Sequence, residues 1–416
     1  MRITRRKLVV LASGAALFGG FRFGHSRLAR PSTAGATLSP AAQALIARAW
    51  QGLDPAKVLD CHVHVVGLGR GDTGCRVGER LTSPLNPLEY FKFTIYLGAA
   101  GITDEAHADQ QYIGRLAQLM RAQTTHGRLL LFAFDQAYGE DGLPRPDETE
   151  FYTPNEYVTS LAKASPELFV ACASVHPYRP DAVEALEKAV EQGAMAVKWL
   201  PNAMGIDPSS PKCDPFYEAM ARLQVPLITH AGEEKAVHAE EKQRLGNPLL
   251  LRRPLSKGVT VAVAHCASLG TNPDLDKGEQ AMASEWVDSF DLFMRLMREK
   301  EWEGRLFGEI SALTLFNRLG RPLKTMLEAE DLHHRLISGS DYPVCAINAL
   351  MQTRAIVEKG FLTEDERTSL NEIDQHDPLL FDFVLKRTLR SNGKGFANDV
   401  FTARPEVFGR LTASAK

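Results

Sequence analysis

Eight apolar runs of five to seven residues set the tightest limit on how this chain can fold. They are Val58–His64, Leu129–Asp135, Phe169–Val175, Ala194–Leu200, Pro226–His230, Val259–His265, Leu306–Ile310 and Leu336–Asp341. Runs this short, and apolar almost throughout, suit strands buried on both faces. Several of the intervals between them carry helical periodicity. Ala182 to Gln192 places Val183, Leu186 and Val190 on one side and stops at Gly193; Ser284 to Lys300 repeats the pattern with Trp286, Phe290, Phe293, Leu296 and Met297. Strand–helix alternation repeated eight times predicts an α/β fold of the (β/α)8 TIM-barrel type, with an open doubly wound sheet as the alternative. One barrel also accounts for the 416 residues without a second core.

Other segments fit around that frame. Pro40 to Trp50 reads as a helix before the first strand. Phe93–Ile102 is apolar enough for a ninth strand, but Gly98, Ala99, Ala100 and Gly101 suit a packed helix end, and a polar helix follows over Asp109–Thr124. The Gly- and Pro-rich stretch Val66–Leu88, with Arg70, Arg76 and Arg80, reads as a lid over the barrel mouth or a subunit contact. From Leu362 the tail is helical, with Leu379, Phe383, Val384 and Leu389 covering the barrel and Gly393 and Gly395 ending it.

The ends of the runs carry the chemistry. The first closes in Asp60-Cys61-His62-Val63-His64, and on a strand alternate side chains share a face, so His62 and His64 point inward together with Asp60 one step deeper. Lys198 ends the fourth run, His230 the fifth, His265 the sixth and Asp341 the eighth. All of these stand at the barrel face where active sites collect. Buried polar groups need partners, and one shared metal site satisfies every one of them together. Imidazoles and carboxylates suit zinc, in one or two ions, with manganese, iron, cobalt or nickel as alternatives. Such an ion lowers the pKa of bound water and polarises a scissile group, with Asp341 placed to take the proton.

Lys198 stands out in this company. An ammonium beside a divalent cation is repelled and costly to desolvate, so its pKa falls. The neutral amine can take up carbon dioxide as a carbamate that bridges two metals. A contact to a substrate carboxylate and an ion pair to a nearby acid remain the other readings of Lys198.

At this point the chain resembles the amidohydrolase superfamily, in particular the amidohydrolase-related (amidohydrolase 2) branch of amide hydrolases, lactonases and non-oxidative decarboxylases. The resemblance spans roughly residues 55–390. It implies that His62 and His64 bind the more buried metal, that Lys198 is the carboxylated lysine of binuclear members, and that His230 and His265 are ligands. It further implies that Asp341 binds metal and shuttles protons. In mononuclear, decarboxylase-like members the counterpart of His265 is an acid–base residue instead, so its role depends on metal count.

Less is expected of other titratable groups. His176 shares parity with Cys172 and Ser174 at the end of the third run and is a candidate catalytic residue in the substrate pocket, with Arg179 just beyond. Glu309 ends the seventh run, either facing the pocket or pairing within the barrel. Glu233 and Glu234 either orient His230 or lie solvated. Trp199 has the opposite parity to Lys198 and should pack against helices. His107, His126, His238, His333, His334 and His376 are read as surface or packing residues.

The first 36 residues hold seven of the 48 basic side chains and no acidic ones, leaving 41 basic against 51 acidic in the remainder. An acidic body argues against a nucleic-acid partner. Arg5-Arg6, followed by Lys7 and an apolar run to Phe18, resembles a twin-arginine export signal. Residues 1–36 are therefore read as leader and linker and 37–416 as one catalytic domain, exported to the periplasm without stable membrane insertion once the leader is removed. An uncleaved anchor is the alternative, since Arg27 and Arg30 interrupt any small-residue cleavage site. Six scattered cysteines make no disulfide framework, and Cys61 and Cys266 are read as apolar filler. The expected activity is metal-dependent hydrolysis of an amide, ester or lactone in a small-molecule substrate, by an enzyme with homodimerisation as the default assembly. A metal-dependent non-oxidative decarboxylase is the alternative.

Overall fold

In the computed structural model, which describes residues 37–278 and 286–413, the eight runs form eight strands of a single sheet. They are β1 (Leu59–His64), β2 (Arg128–Phe132), β3 (Phe169–Ala173), β4 (Ala194–Trp199), β5 (Leu227–His230), β6 (Val261–Ala264), β7 (Leu306–Glu309) and β8 (Leu336–Ile337). Each pairs with the next in parallel. Past the short β8 the sheet closes on β1: Cys61 N donates to Ser338 O, Asp341 N to His62 O and His64 N to Tyr342 O. An open sheet would leave these edges unpaired. The structure is a barrel.

Alternation divides the strand side chains into two sets. Leu59, Cys61, Leu130, Phe132, Val170, Cys172, Ala196, Ile228, Ala262, Phe307 and Ile337 fill the interior. Val63, Leu129, Leu131, Val197, Trp199, Leu227, Val261 and Val263 pack outward against helices. Trp199 stacks on Phe216 of the helix Asp214–Leu223, as its parity predicts. At the N-terminal end of the barrel Ala403, Val407, Phe408 and Leu411 join the interior cluster, so the helix Pro405–Ala413 seals the floor. The tail's reading as ending near Gly395 missed this plug.

One irregularity repositions Asp60. The β1–β2 register shifts between Asp60 and Val63, a bulge that adds a residue on β1. Strict alternation had put Asp60 on the same face as the histidines, and the bulge turns it outward. There its Oδ1 accepts the main-chain N–H groups of His62 at 3.1 Å and Ser340 at 2.8 Å. Lys386, on the helix Pro378–Thr388, pairs with Asp382 and donates to Gly339 O at 2.5 Å, fastening that helix to the same seam. Gly339 is required for the closure, because a Cβ there would collide with the Cβ of His62.

Around the barrel, the helices Pro40–Trp50, Ala108–Ala122 and Ala182–Glu191 form where the sequence predicts them, whereas the helix expected over Phe93–Ile102 begins earlier, at Pro87, and ends at Ala99. The long loop after β1 is tied down rather than free: buried Asp109 accepts Leu68 N, Gly69 N and Thr73 Oγ1. Arg76–Val77 forms a short antiparallel ribbon with Phe151–Tyr152. Trp286 departs from its helical assignment. It is 57 % exposed in a ribbon with Thr271–Pro273, and the helix starts at Ser289. The start of that segment at Ser284 lies outside the described residues, as do the leader and its arginine pair. Among the described residues no helix is long and apolar enough to cross a membrane.

Candidate metal centre

His62 and His64 end β1 and face the barrel mouth. His62 donates Nδ1–H to Glu309 Oε2 at 3.0 Å, which leaves the lone pair of Nε2 directed at the mouth. Three further atoms crowd that lone pair: His64 Nε2 at 3.3 Å, Asp341 Oδ1 at 3.3 Å and Lys198 Nζ at 3.5 Å. His64 Nε2 and Asp341 Oδ1 are themselves 3.1 Å apart. Burial above all, then the charge of Lys198, pushes the His62 imidazole well below its usual range, so it is neutral. Imidazole lone pairs and a carboxylate oxygen directed at one point fit a divalent cation.

Two more histidines border this point. His230 ends β5, and its Nε2 is buried with no hydrogen-bond partner among the described residues. An orphaned buried acceptor costs about 1–3 kcal/mol, which a coordinated cation removes. The Nδ1 of His230 lies 3.6 Å from Glu234 Oε2, so Glu234 is close enough to orient the ring electrostatically. His265 directly follows β6, where plain alternation from Ala262 would turn it outward. The chain instead turns through three left-handed residues, His265, Cys266 and Ala267, at φ 56°, 50° and 49°. This turn brings the His265 ring within 5.0 Å of His62 and 5.4 Å of His230, centroid to centroid. Its Nε2 comes to 4.0 Å from Asp341 Oδ2. Ala312 and Asp341 are left-handed as well, so the mouth stores backbone strain of about 1–3 kcal/mol per residue.

Lys198 projects inward from β4, with its Nζ 5.0 Å from the centroid of the Phe132 ring. Burial lowers its pKa, against the pull of Asp341 and Glu309 in the other direction. His176 is not brought into the group. The chain leaves β3 at Ala173, so alternation no longer aims its ring. Its Nε2 donates to Met204 O at 3.0 Å, its Nδ1 accepts from Tyr178 N at 3.2 Å, and burial pushes it down to about 3. Both nitrogens serve the main chain, which corrects the expectation of a pocket residue.

Glu309 is hydrogen-bonded to the histidines of this group, and together with His62 and His265 it forms a second set of atoms that could hold a cation. It is fully buried and accepts from His62 Nδ1, Ser311 N and Ser311 Oγ, the last two at 2.5 and 2.6 Å. With its hydroxyl hydrogen given to Glu309, Ser311 Oγ accepts from His265 Nδ1 at 2.7 Å. Glu309 and Ser311 thus fix the tautomers of His62 and His265 together, leaving each Nε2 bare. Ser311 shares parity with Glu309 and could have been read from Glu-Ile-Ser. Glu309→Gln should weaken cation affinity roughly ten- to a hundredfold. Competition against a chromogenic chelator measures this, and unchanged affinity would remove Glu309 from its supporting role.

A family model described as amidohydrolase matches residues 59–370, from β1 through the mouth to the helix Glu364–Asp374. The chain belongs to the amidohydrolase family. It is accordingly an enzyme of the amidohydrolase-like group with a small-molecule substrate, and the His–Asp cluster is compatible with a divalent metal. No curated protein matches this amidohydrolase. Among solved structures it is similar to a putative 2-pyrone-4,6-dicarboxylic acid hydrolase from Pseudomonas putida, at 16% identity over 80% of this chain and 99% of that one, TM-score 0.40. A 4-oxalomesaconate hydratase from Rhodopseudomonas palustris gives 14%, 86%, 97% and 0.43 in the same order. A 2,6-dihydroxybenzoate decarboxylase from Rhizobium gives 13%, 73%, 98% and 0.40.

Proposed function

We propose that the centre hydrolyses a carbon–heteroatom bond of amide, ester or lactone type, with Asp341 as proton shuttle. The observation that carries this reading is the place of Lys198, whose Nζ lies inside the donor set, 3.5 Å from His62 Nε2, rather than on its rim. Loss of a proton and attack on carbon dioxide turn that amine into a carbamate anion, which has oxygen donors where the amine had one nitrogen. His62, His64 and Asp341 would hold one cation; carboxylated Lys198, His230 and His265 would hold a second. A bound divalent cation, zinc above all for this donor set, lowers the pKa of water and polarises the substrate carbonyl. The chain's own part is proton transfer and orientation. As water adds to the carbonyl carbon, Asp341 takes its proton and returns it to the departing nitrogen or oxygen. Glu309 and Ser311 keep His62 and His265 in the binding tautomer throughout.

A second reading has support in the His265–Ser311–Glu309 chain. With one cation on His62, His64, His230 and Asp341, and a bare Lys198, His265 Nε2 is available to protonate a carbon from which carbon dioxide departs. Zinc-loaded protein should be assayed against a panel of N-acyl amino acids, esters and lactones, and against aromatic carboxylic acids with detection of released carbon dioxide. Turnover confined to the second panel would replace hydrolysis by decarboxylation.

The basic leader supports export by the twin-arginine route. Arg5→Lys together with Arg6→Lys should retain the protein in the cytoplasmic fraction. Undiminished export of that double variant would reject the route.

A further inference from the structure

Between the barrel wall and three of its helices lies a cavity of about 50 Å³, room for about three to five waters. Trp50 of the helix Pro40–Trp50, Met120 of Ala108–Ala122, and Leu379, Asp382 and Phe383 of Pro378–Thr388 line it, and Asp60 of β1 joins them. No residue of the metal centre does. The bulge that turns Asp60 outward puts this space on the other side of β1 from the His62 imidazole. Two buried polar atoms of the lining residues have no hydrogen-bond partner among the described residues, and they are of opposite kinds. Asp382 is 3 % exposed; its Oδ2 accepts from Lys386 Nζ at 2.5 Å, while its Oδ1 accepts from nothing. The indole N–H of Trp50 donates to nothing. Its ring lies 4.6 Å from that of Phe383, centroid to centroid, so the indole stands against the helix that carries Asp382. Burying a donor or an acceptor without a partner is costly. The charges are unequal as well. Lys386 acts on both Asp60 and Asp382, so one ammonium faces two carboxylates. Burial pushes Asp382 up to about 7 against the pull of Lys386, and Asp60 adds to the rise.

An occupant that answers all of this brings a cationic N–H to Asp382 and an oxygen to the Trp50 N–H, on a short hydrocarbon frame that suits Met120, Leu379 and Phe383. A metal ion or a plain alkylammonium leaves the indole N–H without an acceptor. Water satisfies both atoms and leaves the second carboxylate without a counter-charge. We propose that this cavity binds a short hydroxylated primary amine, with its ammonium on Asp382 Oδ1 and its hydroxyl oxygen accepting from Trp50 Nε1. The site is separate from the metal centre and does not depend on the reaction proposed there.

The test compares ethanolamine, propylamine and 1-propanol, three molecules of nearly one size, by isothermal titration calorimetry at a pH above the Asp382 range, where both amines are protonated. Propylamine lacks the acceptor and should bind roughly three- to tenfold more weakly than ethanolamine, the worth of one neutral hydrogen bond. Propanol lacks the charge and should bind roughly ten- to a hundredfold more weakly than ethanolamine. Zinc-loaded and metal-free protein should show the same order, because coordination of an amine at the metal centre would appear only in the first. Trp50→Phe should erase the advantage of ethanolamine over propylamine and leave propylamine binding unchanged, a pattern that general destabilisation does not give. Asp382→Asn should weaken both amines at least about tenfold. If Asp382→Asn fails to fold, as judged by near-ultraviolet circular dichroism, the Trp50→Phe comparison carries the test. No binding of ethanolamine to metal-free protein, which would leave a cavity for water only, equal affinities for the two amines, or an advantage that survives Trp50→Phe would each overturn the assignment.

Discussion

Asp341→Ala and His62→Ala should each abolish turnover and strip the cation from a barrel that stays folded. In the proposed mechanism Asp341 would serve both the cation and proton transfer, and the proton role alone is worth about a hundred- to ten-thousandfold. His62 is the hub of the donor set, since its Nε2 is the atom to which His64, Asp341 and Lys198 all approach within 3.5 Å. Removing its ring leaves Glu309 with the two Ser311 donors and the main-chain N–H of His265 and leaves the core otherwise intact, a stability cost of about 1–3 kcal/mol. Elemental analysis, circular dichroism and the hydrolysis assay give three independent readouts. Either variant retaining near-normal turnover with full metal content would refute the site.

Lys198→Ala should remove one of two cations and reduce hydrolysis at least about a hundredfold, with partial recovery when short carboxylic acids are added. An acid such as propionate can enter the space left by the side chain and present two oxygens where the carbamate stood. The neutral decarboxylase-type site makes the opposite forecast: one cation per chain before and after the substitution, and no response to added acid. A crystal structure of metal-loaded protein decides the same point directly. Electron density for three atoms beyond Lys198 Nζ supports the bridge, and a bare amine beside a single cation ends it.

Much of this centre was legible in the sequence because a barrel strand is a ruler. Lys198, His230 and Glu309 keep the parity of the interior residues Ala196, Ile228 and Phe307 on their own strands, so counting by twos finds them. Counting fails wherever the backbone leaves the strand. At Asp60 a bulge reverses the face, and the carboxylate that should have lain deep in the barrel instead holds two main-chain N–H groups of the seam. At His176 the strand has already ended, and the ring is spent on the main chain. His265 was placed in the site, but for a reason alternation cannot supply, since three consecutive left-handed residues bring it there. The floor helix was hidden too, because Val407, Phe408 and Leu411 read as an ordinary amphipathic tail until the interior they fill is known.

That floor bears on when the protein can be completed. Leu59 and Leu411 belong to one interior cluster, and the seam of β1 is closed by residues beyond Ser338. During synthesis, strands β1 to β7 emerge with an open edge and an unplugged end, and only the late residues remove both. Contacts spanning hundreds of residues form slowly, because the loop they close is long and its entropy is lost first. An unclosed intermediate exposes apolar strand surface meanwhile, the condition under which chains associate wrongly. A secretion route that threads chains unfolded would have to rebuild this closure on the far side, without the cytoplasm's chaperones or its metal supply. The twin-arginine route proposed above would carry a finished protein, so that the ring could shut, and the histidines gather, before departure.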